Sequence, residues 1–196
     1  MAEADKWNQR YRAGDVPWDT GFPSTELRRV IAGLKLPPCR VLELGSGAGT
    51  NSVWLAQQGH DVTAVDLADV ALERGRAKAD GLKLRFVAAD VLALPDLGEP
   101  FDFFFDRGCY HVVRRASATG YVAAVARCLA SGAKGLVLTG NAKEPHSPGP
   151  PVVSEADLRA ELGAAFDIVD LREFRFDERP GSGENYLGWS CLVQKR

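Results

Sequence analysis

The chain has 196 residues, of which 45% are hydrophobic and 26% are charged, and its formal net charge is −2. This composition is ordinary for one globular domain over residues 1–196, and the charge gives no electrostatic reason to expect nucleic acid or an anionic membrane as a partner. The polar start lacks the apolar core of a signal peptide, and no stretch approaches the 18 apolar residues of a membrane helix, so we expect a cytoplasmic location.

Residues 1–30 precede the first predicted strand and begin with a helix, and the family resemblance given below implies that they form a cap. Trp7 and Tyr11 share one face of a helix, a pattern more typical of packing than of ligand contact. Trp18 follows Pro17 in a turn, where no regular element buries it, and we expect it to close over a site. We also expect the cap to order over a ligand, because its aromatic side chains would gain apolar contacts only when a ligand is present.

The next segment predicts a strand, a glycine turn and a helix. Arg40–Leu44 is the apolar run of a buried parallel strand, and Gly45, Gly47 and Gly49 let the backbone turn sharply and approach a ligand closely. The helix that follows, Thr50–Gln58, points its free N–H groups towards whatever lies over the turn. Three alternate glycines after an apolar strand favour a ligand site over an ordinary strand-to-helix turn.

A second strand, Asp61–Val65, ends on the carboxylate of Asp66. At that position a carboxylate accepts the hydroxyl protons of a ribose in nucleotide-binding folds. Asp66 is equally well placed to cap the helix that begins at about Val70, and the sequence alone leaves the two interpretations open.

Two further carboxylates distinguish between adenosyl ligands. Glu43 stands two residues before the first glycine, where it would repel a dinucleotide's pyrophosphate but attract the ammonium and sulfonium of S-adenosylmethionine. Asp90 follows the third strand, Leu84–Ala88, and could accept a hydrogen bond from an adenine amino group, although alone it is more typical of a solvated strand end. Thr50 stands where the dinucleotide motif requires its last glycine. The sequence therefore favours S-adenosylmethionine.

A polar turn follows the fourth strand, Phe101–Phe105, at the edge where ligands bind in such sheets. Its residues are Asp106, Arg107, Gly108, Cys109, Tyr110 and His111. Asp106 and His111 are the candidate catalytic residues, since either could serve as a general base. For His111, a satisfied histidine that caps a helix is an equally good interpretation.

The remaining elements predict the class of fold. A strand at Gly135–Thr139 is followed by a proline-rich loop, Asn141–Val153, which we expect to form a substrate-side rim. A helix at Ser154–Ala164 precedes strands at Phe166–Phe174 and Tyr186–Val193, which a hairpin loop joins. With helices between the earlier strands, the order predicts an α/β fold with a Rossmann-like, doubly wound sheet of seven strands, mostly parallel with one antiparallel C-terminal strand.

The sequence resembles the class I S-adenosylmethionine-dependent methyltransferases over nearly its whole length. ELGSGAG matches the first motif of that family, VTAVD the second, and AADVLALP with FDFFFD the next two. The segment WNQRYRAGDVPWDTGFPSTEL resembles the cap of small-molecule methyltransferases of the thiopurine, thiol and tellurite-resistance type. The resemblance implies a cap over residues 1–30 and a core over residues 38–196. It implies these cofactor-binding residues: Trp7, Tyr11, Trp18, Glu43, Gly45, Ser46, Gly47, Gly49, Thr50, Asn51, Asp66, Leu67, Asp90, Val91 and Asp106.

We therefore expect a methyltransferase that acts on a small molecule, with S-adenosyl-L-methionine as cofactor and S-adenosyl-L-homocysteine as product. A thiol or another soft chalcogen (S, Se or Te) is the favoured acceptor, because it needs little base assistance. The first alternative is an O-methyltransferase of a phenol or quinol. Two others are a non-catalytic module that binds S-adenosylmethionine and a nicotinamide-dependent oxidoreductase. The four cysteines form no C-x-x-C pair, so we expect no metal, and we expect a monomer or weak homodimer.

Overall fold

One mixed sheet organises the computed structural model, which describes residues 3–145, 149–177 and 185–196. Its strands are β1 Arg40–Leu44, β2 Asp61–Asp66, β3 Leu84–Ala88, β4 Phe101–Arg107, β5 Leu129–Asn141, β6 Val152–Val153, β7 Phe166–Arg175 and β8 Leu187–Lys195. The helices are α1 Glu3–Ala13, α2 Thr25–Leu34, α3 Thr50–Gln57, α4 Asp69–Arg76, α5 Tyr110–Cys128 and α6 Glu155–Leu162. Within these ranges, none of the helices combines the length and the apolar character that crossing a bilayer requires.

The strand order is β3-β2-β1-β4-β5-β8-β7, and the two-residue β6 pairs with β5 beside this path. β8 runs antiparallel to both of its neighbours, whereas the other pairs are parallel. The predicted seven-stranded, mostly parallel sheet with one antiparallel C-terminal strand is therefore confirmed, with β6 as a short eighth strand. The chain order reverses between β1 and β4, and a crevice for ligands forms at the carboxyl ends of strands at such a point.

The connection between β3 and β4 differs from the prediction of a helix between successive strands. Among the described residues there is only one 3₁₀ turn in this connection, Val91–Ala93. Asp90 begins the turn by accepting a hydrogen bond from the Leu92 backbone N–H at 2.8 Å. Pro95 and Gly98 follow within a few residues, and a helix cannot continue through a proline without losing a hydrogen bond. The segment is therefore too short and too interrupted for an α-helix.

Two helical layers cover the sheet because its strands are apolar on both faces. Phe103 and Phe105 of β4 face α2 and α3, and Phe104 between them faces α5 and α6. All three phenylalanines are fully buried. The near-continuous apolar run of β4 is thus explained by a strand that packs against helices on both sides.

The N-terminal cap consists of two parts with different packing. α1 packs against α4 through a small cluster that includes Tyr11, Val16 and Ala71, and the loop of residues 14–24 follows it. α2 instead packs its Leu27 and Val30 on the sheet. The predicted boundary at residue 30 therefore falls within a helix that belongs to the sheet's covering layer. We use the term cap loop for residues 14–24.

Candidate active site

The glycine turn between β1 and α3 forms the floor of the site. Gly45, Gly47 and Gly49 all have positive φ angles, of 62°, 55° and 72°, which side chains rarely allow. A Cβ atom at Gly47 would lie 2.5 Å from the Tyr11 hydroxyl oxygen, and one at Gly45 would lie 2.5 Å from the Cβ of Cys109. The turn therefore lies between the cap and the turn after β4, and only glycine fits this space.

Asp66 joins the end of β2 to the glycine turn. Its Oδ2 accepts a hydrogen bond from the Gly47 backbone N–H at 2.7 Å, and its Oδ1 accepts one from the Ala68 N–H at 2.8 Å. Burial raises the pKa of Asp66, while these backbone donors oppose that rise. A carboxylate has about four lone-pair sites, so both oxygens keep a free site for further donors such as ribose hydroxyls. Asp66 thus braces the turn and has capacity to bind a ligand as well.

Glu43 is a buried carboxylate at the cofactor end of β1. It is 2% exposed, Ser52 donates its hydroxyl to Oε2, and Asn51 donates its amide to Oε1 at 3.3 Å. Burial raises its pKa to about 7, and the nearby carboxylates of Asp106 and Asp66 contribute to this rise. A cationic ligand beside Glu43 would favour its ionised form. The ammonium and sulfonium groups of S-adenosylmethionine are ligands of this charge.

A pocket of about 440 Å³, including its open mouth, lies between the cap loop and the glycine turn. Its lining residues are Tyr11, Trp18, Asp19, Thr20, Phe22, Glu43, Gly45, Ser46, Gly47, Ala48, Thr50, Asn51 and Arg107. The buried hydroxyl of Ser46 has no hydrogen-bond partner within the described part of the chain. The glycine cradle, the carboxylates and this hydroxyl therefore fit S-adenosylmethionine, whose methionine and ribose parts carry both cations and hydroxyl groups.

The pocket brings together only part of the predicted cofactor site. The predicted residues that line it are Tyr11, Trp18, Glu43, Gly45, Ser46, Gly47, Thr50 and Asn51. The predicted residues outside its lining are Trp7, Gly49, Asp66, Leu67, Asp90, Val91 and Asp106. Asp90 is exposed next to the end of β2, and Val91 is 5% exposed and packs in the core. Binding of adenine by Asp90 stays a prediction, as does binding of the cofactor by Leu67 and Val91.

The aromatic residues of the cap already pack against one another. The ring centroids of Trp7 and Trp18 are 5.5 Å apart, and those of Tyr11 and Trp18 are 6.1 Å apart. Trp18 donates its indole N–H to the Tyr11 hydroxyl at 3.1 Å, and Tyr11 is 3% exposed. The expectation that these side chains gain apolar contacts only with a ligand is therefore wrong. The packing interpretation holds for Trp7, while Tyr11 and Trp18 both pack and line the pocket.

Asp106 holds the turn after β4 rather than facing the pocket. Its fully buried carboxylate accepts hydrogen bonds from the backbone N–H groups of Cys109 and Tyr110, at 3.0–3.1 Å, and from the Tyr121 hydroxyl at 2.8 Å. Burial raises its pKa to about 7. With its oxygens occupied in this way, the geometry does not support Asp106 as a general base or as a direct ligand of the cofactor.

His111 is also held by the protein. It is 7% exposed, and its Nδ1 accepts a hydrogen bond from the Gly140 backbone N–H at 3.1 Å. Burial, with the charges of Arg115 and Arg107, lowers its pKa to about 3. A neutral imidazole that accepts at Nδ1 carries its proton on Nε2, so this ring presents a donor. The geometry therefore supports the interpretation of a satisfied histidine over that of a base.

Arg107 is a pocket residue that the sequence analysis did not assign to the site. Its Nη1 donates to the Trp18 carbonyl at 2.8 Å, and its guanidinium lies 5.3 Å from the ring centroid of Phe176. Burial lowers its pKa, and the negative charges of Asp177, Asp19 and Glu43 oppose that effect. The sequence signal was its place in the polar turn. Nothing in the sequence distinguished Arg107 from its neighbours, because the direction of each side chain depends on the turn.

Fold and site together define a class I S-adenosylmethionine-dependent methyltransferase, since the switch point of the sheet carries the glycine turn, Glu43 and Asp66. The sequence model of the thiopurine S-methyltransferase family matches residues 2–186. The chain belongs to this family.

Individual relatives agree with that assignment. The 2-heptyl-1-hydroxyquinolin-4(1H)-one methyltransferase of Mycobacteroides abscessus is 29% identical over 168 residues, which are 83% of this chain and 74% of that protein. The 1,6-didemethyltoxoflavin-N1-methyltransferase of Burkholderia thailandensis, solved with its acceptor and S-adenosylhomocysteine, has a TM-score of 0.73 at 26% identity, covering 100% of this chain and 91% of that one. A structure from work on the conversion of a disulfide bond into a thioacetal group during echinomycin biosynthesis has a TM-score of 0.85 at 24% identity, covering 99% and 92%.

The predicted class is therefore confirmed. The chain is a small-molecule methyltransferase that uses S-adenosylmethionine and releases S-adenosylhomocysteine. The two alternatives from other classes, a non-catalytic binding module and a nicotinamide-dependent oxidoreductase, are wrong.

Proposed function

We propose that this enzyme methylates a thiol or another soft chalcogen nucleophile that binds as its anion. The observation that carries the proposal is the state of the two candidate bases. His111 is neutral and its Nδ1 accepts a hydrogen bond from the Gly140 N–H, and Asp106 is fully buried and accepts hydrogen bonds from three donor groups. With both groups occupied in the turn, the favoured acceptor is one that ionises near neutral pH without help, as a thiol does.

In this proposal, Glu43, the glycine turn and Asp66 hold the cofactor at the switch point of the sheet. The cofactor supplies a methyl group that its sulfonium already activates. The remaining task of the protein is to hold the acceptor in line with the sulfur–methyl bond and to exclude water. Tyr11 and Trp18 cover the glycine turn and provide the apolar wall for this task.

Arg107 would hold the acceptor's negative charge. Of the five N–H groups of a guanidinium, one donates to the Trp18 carbonyl, and no other hydrogen-bond acceptor contacts Arg107 among the residues described. The side chain lines the pocket with Trp18 and Phe22. Arg107 is half-buried and shares the pocket with the carboxylates of Asp19 and Glu43, and its cation beside the aromatic walls is the group that would attract a small anion with an apolar body.

An oxygen acceptor is the second candidate. The M. abscessus relative is named as a methyltransferase of a 1-hydroxyquinolin-4-one, a compound that carries a hydroxyl group. A phenol or quinol is mostly protonated at neutral pH, so its methylation would require a base in the pocket. Within the described ranges, neither Asp106 nor His111 is free for that role.

The test compares thiophenol with phenol, which have the same ring but different nucleophilic atoms. We expect S-adenosylhomocysteine to form with thiophenol and the rate to rise with the ionisation of its thiol. Turnover of phenol at an equal or higher rate would contradict the soft-nucleophile proposal.

A variant of the cofactor site tests whether S-adenosylmethionine binds where the proposal places it. Asp66→Ala removes a carboxylate that braces the turn and, in the proposal, binds the ribose. Loss of a charged hydrogen bond costs about 1.5–3 kcal/mol, so the Kd for S-adenosylmethionine should rise about tenfold or more. Unchanged affinity in a folded Asp66→Ala variant would remove Asp66 from the cofactor site.

Several predictions from the sequence accompany this proposal. They are the cytoplasmic location, the monomer or weak homodimer, and the absence of nucleic-acid and membrane partners. The substrate-side rim at residues 141–153 also stays a prediction, and its residues 146–148 lie outside the described ranges.

A further inference from the structure

Three consecutive residues where the cap loop meets α2 each bind a different part of the molecule. The Ser24 backbone N–H donates to Oδ1 of Asn51 in α3 at 2.9 Å. Thr25 donates its backbone N–H and its hydroxyl to Asp177, which follows β7. Glu26 accepts hydrogen bonds from side chains of β7 and β8. The end of the cap loop is therefore a junction, and Ser24 makes its contact with the cofactor side of the molecule.

Asn51 connects this junction to Glu43. While Oδ1 accepts from Ser24, Nδ2 of the same amide donates to Oε1 of Glu43 at 3.3 Å. The partners fix the orientation of the amide, because a backbone N–H only donates and a carboxylate accepts. A single side chain thus joins the carboxylate at the end of β1 to the last residue of the cap loop.

The cap loop that ends at Ser24 forms one wall of the pocket. Its lining residues are Trp18, Asp19, Thr20 and Phe22. The first part of this wall is held at two points, since Arg107 donates to the Trp18 carbonyl and the Thr50 hydroxyl donates to Asp19 at 3.3 Å. The second part, which carries Phe22, is held through Ser24. Ser24 is also the N-cap of α2, where its hydroxyl accepts from the Leu27 N–H, so α2 and Asn51 together set the position of this part.

We propose that Asn51 is a positioning residue that couples cofactor binding at Glu43 to the order of the cap loop on the acceptor side of the pocket. This inference rests on the proposed function, because it takes the cofactor to bind beside Glu43. A ligand that carries an ammonium there favours the ionised carboxylate, which is the better acceptor for the Asn51 amide. The amide then holds Ser24 more firmly, so that the acceptor wall is complete when the cofactor is present.

Ser52 provides a matched comparison. It is the next residue of α3, it is fully buried, and its hydroxyl donates to the other oxygen of the same carboxylate. Its hydroxyl contacts Glu43, and within the described part of the chain this side chain makes no hydrogen bond with the cap loop. Ser52→Ala therefore removes one hydrogen bond to the Glu43 carboxylate and leaves the hydrogen bond between Ser24 and Asn51 intact. Asn51→Ala removes both the hydrogen bond to Glu43 and the one to Ser24.

The experiment measures backbone hydrogen exchange of residues 14–24 with and without saturating S-adenosylhomocysteine, together with its Kd. In the wild type and in Ser52→Ala, we expect the ligand to slow exchange of this segment by about fivefold or more, the effect of one additional hydrogen bond. In Asn51→Ala, the ligand should change the exchange rate of residues 14–24 less than twofold. Its Kd for S-adenosylhomocysteine should be no weaker than that of Ser52→Ala. Asn51→Asp keeps the acceptor for Ser24 but not the donor to Glu43, so exchange without ligand should stay near the wild-type rate and the ligand should not change it.

The outcomes separate the two proposals. The role of Asn51 would be overturned if the ligand protected residues 14–24 equally in Asn51→Ala and in the wild type. It would also be overturned if Ser52→Ala lost this protection to the same extent as Asn51→Ala. Binding of S-adenosylhomocysteine without any protection of residues 14–24 would also overturn it and would leave the proposed function intact. Failure of the wild type to bind S-adenosylhomocysteine would instead refute the proposed function. If Asn51→Ala does not fold, Asn51→Asp decides alone, and ligand-dependent protection in that variant contradicts the coupling.

Discussion

The imidazole of His111 lies with Nδ1 against the backbone N–H of Gly140, and this contact determines which ring nitrogen carries the proton. A buried N–H left without an acceptor costs about 1–3 kcal/mol. We therefore expect His111→Ala to lower the free energy of unfolding by that amount, measured in urea. His111→Asn is the matched control, because its side-chain oxygen can replace Nδ1 as the acceptor and should restore much of the loss.

The same pair of variants tests the role of His111 in turnover. We expect both to methylate thiophenol at pH 8 within a few-fold of the wild type, since Nδ1 already accepts from Gly140 and the lowered pKa makes the buried ring a weak base. A loss of about 10²-fold in His111→Asn, with stability restored, would be the effect of a positioned base and would contradict this assignment.

The sequence places a set of functional residue types correctly at this edge of the sheet but does not assign their roles. Asp106, Arg107 and His111 lie within six positions, and Gly108 between them has a φ of 88°. Asp106 and Arg107 are successive residues of β4, so their side chains point to opposite faces of the strand, and the turn at Gly108 then redirects the chain before His111. Arg107 reaches the pocket, whereas Asp106 and His111 face the protein. The extent of β4 and its tertiary packing decide which of these side chains reaches the pocket, and the predicted strand, which ends at Phe105, does not include them.

At the scale of the elements, the strands follow local patterns closely. β1 and β3 have the predicted bounds, because each is a short apolar run between clear turns. β5 is longer than its predicted core, since it begins at the buried Leu129, which pairs with Phe101, and reaches the predicted part through small residues and a register shift. The missing helix before β4 is the larger difference, and there the prolines and the glycine outweigh the alternation of strand and helix.

Gly135 in β5 shows how closely one element is fitted to another. It pairs with Phe104, and a Cβ atom at Gly135 would overlap the Phe104 ring, which is fully buried. Overpacking of this kind costs about 1–3 kcal/mol, so Gly135→Ala should lower the free energy of unfolding by at least that much. Gly33 in α2 is a useful control, because a Cβ there meets no atom within 4 Å.

The control should move in the opposite direction. Gly33 lies at an exposed position of α2. Gly33→Ala is expected to raise the free energy of unfolding by about 0.5–1 kcal/mol, because it removes backbone freedom from the unfolded chain. Chemical denaturation of both variants measures these two changes in the free energy of unfolding. If Gly135→Ala were as stable as the wild type, the Phe104 ring would have to occupy a different position.

At the scale of the whole molecule, the buried carboxylates couple stability to pH. The pKa of Glu43 is about 7 in the folded protein and 4.5 in its ordinary state, so the folded protein keeps a proton that the unfolded chain releases. This contribution to stability is fully present below pH 4.5 and is lost as the pH rises to about 7. Glu43→Gln removes the proton exchange at this position and leaves a side chain of nearly the same shape.

We therefore expect the free energy of unfolding of the wild type, relative to Glu43→Gln, to fall between pH 5 and pH 7. The slope should reach at most about 1.4 kcal/mol per pH unit and should vanish above pH 7.5. Urea unfolding of the ligand-free proteins at four pH values measures it. Glu26→Gln is the control, because ion pairs lower the pKa of Glu26 and its contribution changes only below pH 4.5. Parallel curves for the wild type and Glu43→Gln would contradict the raised pKa.

The arrangement of the whole molecule was predictable where general rules apply. Strand-helix alternation and the C-terminal hairpin led to the mostly parallel sheet with one antiparallel strand, and the rule for switch points led to its ligand edge. The packing of α1 on α4 and the junction at Ser24 were not predictable, because they depend on contacts such as Asn51 with Ser24 that join residues 27 positions apart. No local pattern encodes a contact of this kind.

The pocket draws its two halves from separate parts of the chain, and this bears on how such enzymes diversify. The floor belongs to β1, the glycine turn and the start of α3, whose substitution would damage the fold, while the opposite wall is a loop of eleven residues, 14–24, outside the sheet. Changes in the cap loop can therefore alter which acceptor the pocket accommodates, while the site for the methyl donor and the fold stay the same. The contact between Ser24 and Asn51 limits that freedom, since it is the point at which any altered loop must rejoin the half of the pocket that the sheet provides.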